Sequence, residues 1–224
     1  MTKTLRIALS ALALAAGAQA QAGLLTSAAA LSPSATVITF SDQAGQFTTG
    51  PVQVGNLVGK NVVYTADSAS AGFSMGYGLA GNGNWTGGKG FAFTNGAAAV
   101  TFTFNNGPVA GVGGFVNYAD CGGGSTCGAG NFVIEALGSS GNVLESYIVN
   151  LVAPISTPGG TDLGAFRGIS RNSADVYGFR FSGGYGVLDD LRFGAVAGQV
   201  PEPGALGLVA LALLGAAAAR RRVR

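Results

Sequence analysis

Apolar and polar residues alternate in short runs through the middle of the chain. Between residues 100 and 104 a valine and two phenylalanines alternate with two threonines, and residues 177–181 repeat the pattern with aromatic residues. A period of two predicts a strand with one buried face. Further apolar segments predict strands at residues 36–41, 61–66, 90–94, 111–118, 131–137, 143–151 and 187–193.

Glycine and asparagine separate these segments at the spacing of hairpin turns, for example at residues 95–96, 105–108 and 141–142. Both residues favour tight turns. Between residues 23 and 199 no segment has the apolar period of about 3.6 residues that an amphipathic helix requires. The pattern therefore predicts an all-β fold, an antiparallel β-sandwich of jelly-roll type.

The N-terminal pattern predicts a secretory signal peptide. Two basic residues precede an apolar run at residues 7–16, and Ala18-Gln19-Ala20 matches the small-residue pattern of a signal peptidase site. The alternative, a membrane anchor, is disfavoured because the apolar run is too short to span. We assign residues 1–22 to the signal peptide and expect the mature chain to begin at Gln21 or Gly23.

The last 25 residues combine three features in order. Pro201-Glu202-Pro203 comes first, sixteen uncharged and mostly apolar residues follow at 204–219, and Arg220, Arg221 and Arg222 come next. As a helix the apolar run would be about 24 Å long, somewhat shorter than a hydrocarbon core of about 30 Å. The arginines would stay on the cytoplasmic side, so the preceding domain would lie across the membrane.

This tail resembles the PEP-CTERM sorting signal of Gram-negative bacteria. The resemblance implies that exosortase processes the tail during export, after transient membrane insertion of its helix. It also implies a protein of the periplasm, cell envelope or extracellular space, in a bacterium that makes extracellular polysaccharide. A permanent anchor is the alternative. The chain then divides into the signal peptide, a β-sandwich domain at 23–199 and a sorting signal at 200–224.

Charge and composition exclude several functions for the central domain. Residues 23–199 hold six lysines and arginines against nine aspartates and glutamates, a net charge of −3, so no nucleic-acid partner is expected. The absence of histidine excludes imidazole-dependent triads and histidine zinc sites. Cys121 and Cys127 flank a glycine-rich loop in an exported chain, which predicts a structural disulfide rather than a redox pair.

Carboxylates are the remaining candidates for catalysis. Glu135 and Glu145 fall on consecutive predicted strands and, on a shared face, would supply the acid and base of a glycan hydrolase. Glu145 lies among apolar residues, whereas Glu135 alternates with them as an exposed residue does. We therefore favour charge on a sheet surface and expect no enzymatic activity. A carboxylate-based glycan hydrolase or lyase stays as the alternative.

A second, looser resemblance concerns the domain itself. Its opening segment at 37–42 and its closing segment at 188–193 are similar to jelly-roll domains that precede PEP-CTERM tails and look like carbohydrate-binding modules in outline. Such modules often hold a structural calcium between the first and last strands, which here suggests Asp42 with Asp189 or Asp190. The alternative is that Asp42 caps a turn and an aspartate faces water.

Trp85 is the candidate residue for glycan contact. It lies in a polar loop rich in glycine and asparagine, where an exposed indole would stack on a sugar ring and neighbouring amides would bind hydroxyl groups. The alternative is a tryptophan folded back over one end of the sandwich. The sequence thus predicts an exported, non-enzymatic surface or matrix protein, with extracellular polysaccharide as candidate partner. A structural or adhesion component that binds proteins is a further alternative.

Overall fold

The computed structural model describes residues 22–43, 45–86 and 90–197. Within these ranges two antiparallel sheets enclose an apolar core, and a small third sheet lies beside them. The predicted antiparallel β-sandwich is confirmed.

The described part of the chain contains sixteen short strands. They are β1 (Gly23–Leu25), β2 (Thr36–Ile38), β3 (Gln46–Phe47), β4 (Val52–Gln53), β5 (Val62–Ala66), β6 (Gly72–Ser74), β7 (Tyr77–Gly78), β8 (Asn84–Trp85), β9 (Phe91–Phe93), β10 (Ala99–Phe104), β11 (Gly111–Asn117), β12 (Val133–Leu137), β13 (Val143–Ile148), β14 (Ala165–Ser170), β15 (Gly178–Ser182) and β16 (Val187–Gly194). Two 3₁₀ turns, Ala28–Ala30 and Asn56–Val58, and one helical turn, α1 (Val149–Val152), complete the elements.

The strands divide into two main sheets. The larger has the order β1-β14-β11-β16-β9-β6-β3, with β2 also paired to β16. The smaller has the order β13-β12-β15-β10-β5-β4, and β7 pairs with β8 in the third sheet. From β9 onward every connection except the β12–β13 hairpin carries the chain from one main sheet to the other. These crossings give the sandwich its jelly-roll-like character.

Aromatic side chains from both sheets fill the core. Tyr64 of β5 contacts Phe73 of β6 with ring centroids 4.5 Å apart, and Phe104 of β10 stacks on Phe193 of β16 at 4.6 Å. All four rings are buried. Because aromatic pairs of this kind contribute about 0.5–1.5 kcal/mol beyond their burial, they hold the sheets together at several points along the strands.

Each of the nine predicted strand segments contains a strand, but two extend too far. The segment predicted at 36–41 ends as a strand at Ile38. The segment predicted at 143–151 leaves the sheet at Ile148, and α1 follows. The Asn150 side chain accepts a hydrogen bond from the backbone N–H of Phe132, so a side chain replaces the backbone acceptor of a continuing strand. Strands such as β3, β4 and β7 have only two residues, too few for an alternation to predict.

The predicted signal peptide and the apolar run at 204–219 lie outside the described residues. Among the described helices, none is long and apolar enough to cross a membrane.

Candidate functional site

An open polar depression lies at the end of the sandwich where β10 finishes and β11 begins. Its described lining consists of Gln53, Asn56, Gly59, Lys60, Asn61 and Asn106, and its volume is about 440 Å³. We call it the amide depression. Four of its six lining residues carry a side-chain amide, and none of those described is acidic.

Strand pairing brings the two halves of the amide depression together. Val62 at the start of β5 pairs with Phe104 at the end of β10, so the residues before β5 lie beside those after β10. The 3₁₀ turn Asn56–Val58 ends at Gly59, whose left-handed backbone (φ 64°) turns the chain back toward β5. Glycine adopts this conformation at no steric cost.

Hydrogen bonds within the depression occupy the side-chain oxygens of Asn61 and Asn106. Asn106 Oδ1 accepts from the Asn61 backbone N–H, and Asn61 Oδ1 accepts from Asn105 Nδ2 at 3.2 Å. Gln53 Nε2 donates to the Lys60 carbonyl at 3.0 Å. These bonds fix the orientation of the amides, and they leave the Nδ2 groups of Asn61 and Asn106 for other acceptors.

Lys60 is the cation of the amide depression. Among the described residues no carboxylate forms an ion pair with it, whereas Arg180 and Arg192 each pair with one carboxylate and Arg171 pairs with two. Its side chain is half-buried and also borders a narrower cleft of about 170 Å³. Val62, Phe104, Pro108, Val109 and Phe193 give that cleft an apolar lining. A charged donor, several amides and an apolar cleft therefore adjoin one another.

The opposite end of β11 is built differently, and Trp85 belongs to it. The indole is 5% exposed, packs edge-on against Phe91 at 5.3 Å and donates from Nε1 to the Leu163 carbonyl at 2.7 Å. The expectation of an exposed stacking platform is therefore wrong for this residue in the structure. The alternative of a tryptophan folded back over the end of the sandwich describes its position.

Buried amides hold the segments around Trp85 together. Asn82 donates to the carbonyls of Tyr118 and Ile155, and its Oδ1 accepts from the Thr157 N–H at 3.0 Å. Asn117 donates to Thr157 Oγ1 at 2.9 Å. We call the segments 79–86, 117–130 and 149–163 the packed end. The amides of Asn82 and Asn117 use their donors and acceptors inside the protein, unlike those of the amide depression.

Arg167 binds the segment 149–163 of the packed end to β14. Its guanidinium donates to the carbonyls of Ala153, Phe166 and Pro154 at 2.9, 2.8 and 3.2 Å. Burial lowers its pKa, since removal from water penalises the charged form. The backbone carbonyls compensate part of that penalty, so the arginine acts as a structural clamp on the segment after α1.

The predicted disulfide is present in this end. Cys121 and Cys127 are joined, with Cα atoms 5.1 Å apart, in the connection between β11 and β12. Within the loop the Cys121 N–H bonds to the Ser125 carbonyl at 2.8 Å. The bridge restrains a segment that three consecutive glycines would otherwise leave with many backbone conformations.

Of the aspartates suggested for calcium, Asp42 and Asp190 occupy different settings. The strands concerned are neighbours, because Ile38 of β2 pairs with Leu191 of β16. Asp190 lies at an irregularity of β16 with φ 49° and pairs with Arg192 at 3.1 Å, while Asp42 accepts from the Gln43 side chain. In the described ranges no group of three or more histidine, cysteine, aspartate or glutamate residues is arranged to hold a metal. The calcium site stays a prediction.

Glu135 and Glu145 do not share a face. In the β12–β13 register Glu135 pairs with Ser146 and Glu145 pairs with Ala136, so the two carboxylates project from opposite sides of the sheet. Each has its own cation: Arg180 for Glu135 and Arg171, at 3.1 Å, for Glu145. An acid–base pair across a scissile bond requires both groups on one side. These two glutamates therefore do not form the active site of a hydrolase.

The fold and these contacts define a disulfide-bonded, jelly-roll-like β-sandwich with an amide-lined depression at one end. The residues proposed for sorting, Pro201, Glu202, Pro203, Arg220, Arg221 and Arg222, lie outside the described part of the chain. The family model of the PEP-CTERM protein-sorting motif matches residues 199–222. No curated protein and no solved structure matches the chain significantly.

The chain thus carries a PEP-CTERM sorting motif, and the resemblance seen in the tail is confirmed. The motif marks an exported protein, destined for the cell envelope or beyond and sorted through exosortase.

Sequence reasoning missed the amide depression. Its residues are 45 positions apart at Asn61 and Asn106, and only the β5–β10 pairing brings them together. From sequence alone, residues 105–108 predict only a turn. The one available indication is the number of amides in the connections 53–61 and 105–106, which exceeds what tight turns require.

Proposed function

We propose that the β-sandwich is a non-enzymatic saccharide-binding domain of an exported surface or matrix protein, and that the amide depression is its binding site. The observation that carries the proposal is the set of unused amide donors around Lys60 in an open depression. Sugars present many hydroxyl groups that both donate and accept, and side-chain amides are matched to them.

The dimensions of the site support this assignment. A volume of about 440 Å³ lies within the range of about 300–1,000 Å³ that is usual for small-molecule sites. The depression is open rather than enclosed, so it suits a segment of a long polymer whose ends continue into solvent. The adjoining apolar cleft offers a surface for the C–H groups of a sugar ring.

The absence of enzymatic activity is supported by the chemistry of the same lining. The described residues of the depression include neither a carboxylate nor a thiol. The acid–base arrangement that glycan hydrolysis uses therefore has no counterpart there. Binding without turnover is the function for which these side chains are suited.

Affinity electrophoresis tests the proposal. The exported protein, with its disulfide formed, is run through native gels with and without extracellular polysaccharide from the producing bacterium. We expect the polysaccharide to retard the protein, and Asn61→Ala together with Asn106→Ala to abolish the retardation. Asn95→Ala, which changes an exposed asparagine in the turn before β10, is the matched control. Equal mobility in both gels, or retardation that the double substitution leaves intact, would overturn the proposal.

The same gels test calcium. A structural calcium predicts that a chelator reduces retardation, and that Asp42→Asn and Asp190→Asn reproduce the reduction in calcium-containing gels. Retardation that is unaffected by the chelator would remove the calcium site from consideration.

A second candidate is a structural or adhesion role through protein partners. Phe47 and Met75 are 66% and 52% exposed near the β3 edge of the larger sheet. Apolar side chains at a strand edge favour association with another protein surface. If this role is the main one, Phe47→Ser releases the protein from the cell surface, whereas the amide substitutions leave it attached.

A further inference from the structure

We infer that the amide depression selects acidic saccharides, with Lys60 binding the carboxylate of a uronic acid residue. The inference rests on the proposed function and specifies its ligand class. It comes from the two asparagines beside Lys60, because internal hydrogen bonds occupy the side-chain oxygens of Asn61 and Asn106 and leave their NH₂ groups unpaired.

The first step is the assignment of the amide groups. A backbone N–H can only donate, so the Asn106 atom that bonds to the Asn61 N–H is its oxygen. The Asn106 Nδ2 group is consequently the free part of that side chain. The Asn61 side-chain oxygen accepts a hydrogen bond from Asn105 Nδ2, so its Nδ2 group is also free. Two amide NH₂ groups therefore remain for a ligand.

The second step is the charge. Lys60 is half-buried at the junction of the depression and the apolar cleft, and no described carboxylate neutralises it. An ammonium group and two amide donors together offer hydrogens to a group that only accepts. A carboxylate has two oxygens and about four lone-pair positions, and charge-assisted bonds to it are stronger than those between neutral groups.

The third step is the contrast with the rest of the domain. The net charge of residues 23–199 is −3, so a polyanion would be repelled by the surface as a whole. Retention of an acidic polymer would therefore require a local site rather than general attraction. This contrast makes the inference testable by single substitutions.

The experiment compares two polymers with one backbone. Native gels contain either polygalacturonate or the same polymer with its carboxylates fully methyl-esterified, and the exported protein is run in both. We expect the affinity for polygalacturonate to exceed that for the ester by about two- to fivefold, the size of effect that one partly exposed charge pair supplies. Lys60→Gln should remove this preference, and Lys60→Arg should retain it.

Arg180→Gln is the matched control, because it removes one positive charge from the outer surface of the smaller sheet, away from the depression. Equal retardation by both polymers, or an equal loss from Lys60→Gln and Arg180→Gln, would overturn the inference while leaving saccharide binding in place. Failure of both polymers and of the producer's own polysaccharide would overturn the proposed function itself.

Discussion

The two ends of β11 use asparagine in opposite ways. At the packed end Asn82 and Asn117 are buried, and both bond to groups of distant segments inside the protein. At the amide depression Asn61 and Asn106 lie near the surface, with their NH₂ groups available. Asparagine therefore stabilises the fold at one end and leaves side-chain hydrogen-bond donors unpaired at the other.

This difference follows from what burial costs an amide. A buried amide without partners loses about 1–3 kcal/mol, so the packed end must satisfy every group it encloses. Near the surface water replaces a missing partner, and unpaired donors cost little. Stability is therefore expected to depend on the packed end, and ligand binding on the depression. Substitutions at matched positions test this separation.

The largest effect is expected for Trp85→Ala. Removing a buried indole leaves a cavity beside Phe91 and frees the Leu163 carbonyl, so the free energy of unfolding should fall by about 3–5 kcal/mol. Denaturant titration measures the loss. Trp85→Phe keeps most of the packing and should lose less than half as much. An unchanged unfolding midpoint together with lost polysaccharide retardation would instead restore Trp85 as a stacking residue.

A smaller but clear loss is expected for Asn82→Ala. The substitution leaves the Thr157 N–H and the carbonyls of Tyr118 and Ile155 without their partner, and the expected destabilisation is about 2–3 kcal/mol. Its counterpart at the other end, Asn61→Ala, should change stability by less than about 0.5 kcal/mol. Equal losses from the two substitutions would contradict the division between the ends.

Replacing both Cys121 and Cys127 by serine should cost about 2 kcal/mol. The estimate comes from the chain entropy that closure of a short loop removes from the unfolded state. Thermal unfolding of the double variant, compared with the oxidised protein, measures it. Polysaccharide retardation should remain, because the bridge lies at the end of β11 away from the depression. Loss of retardation in a folded double variant would mean that the packed end also contributes to the site.

The sequence was sufficient to predict the sandwich, because apolar and polar residues alternate most regularly in the strands that line the core. The pattern at 100–104 corresponds to β10, whose valine and phenylalanines are buried. Local pattern also predicted the disulfide, since Cys121 and Cys127 are close in the chain. It was insufficient for Trp85, because a glycine-rich neighbourhood does not reveal that Leu163, 78 residues away, accepts its N–H. The depression likewise depends on pairing between strands that are distant in sequence.

An equally small effect on stability, and the sharpest test of the comparison, is expected for Asn106→Ala. Its side-chain oxygen accepts one bond from the Asn61 N–H at the protein surface, where water can substitute, so the free energy of unfolding should change by less than about 0.5 kcal/mol. Retardation by polysaccharide should nevertheless weaken severalfold, because the variant lacks an NH₂ donor of the site. Denaturant titration and affinity electrophoresis on the same preparation give both values. A loss above about 1.5 kcal/mol would show that Asn106 supports the fold as Asn82 does. Asn106 would then no longer count among the ligand-binding donors of the amide depression.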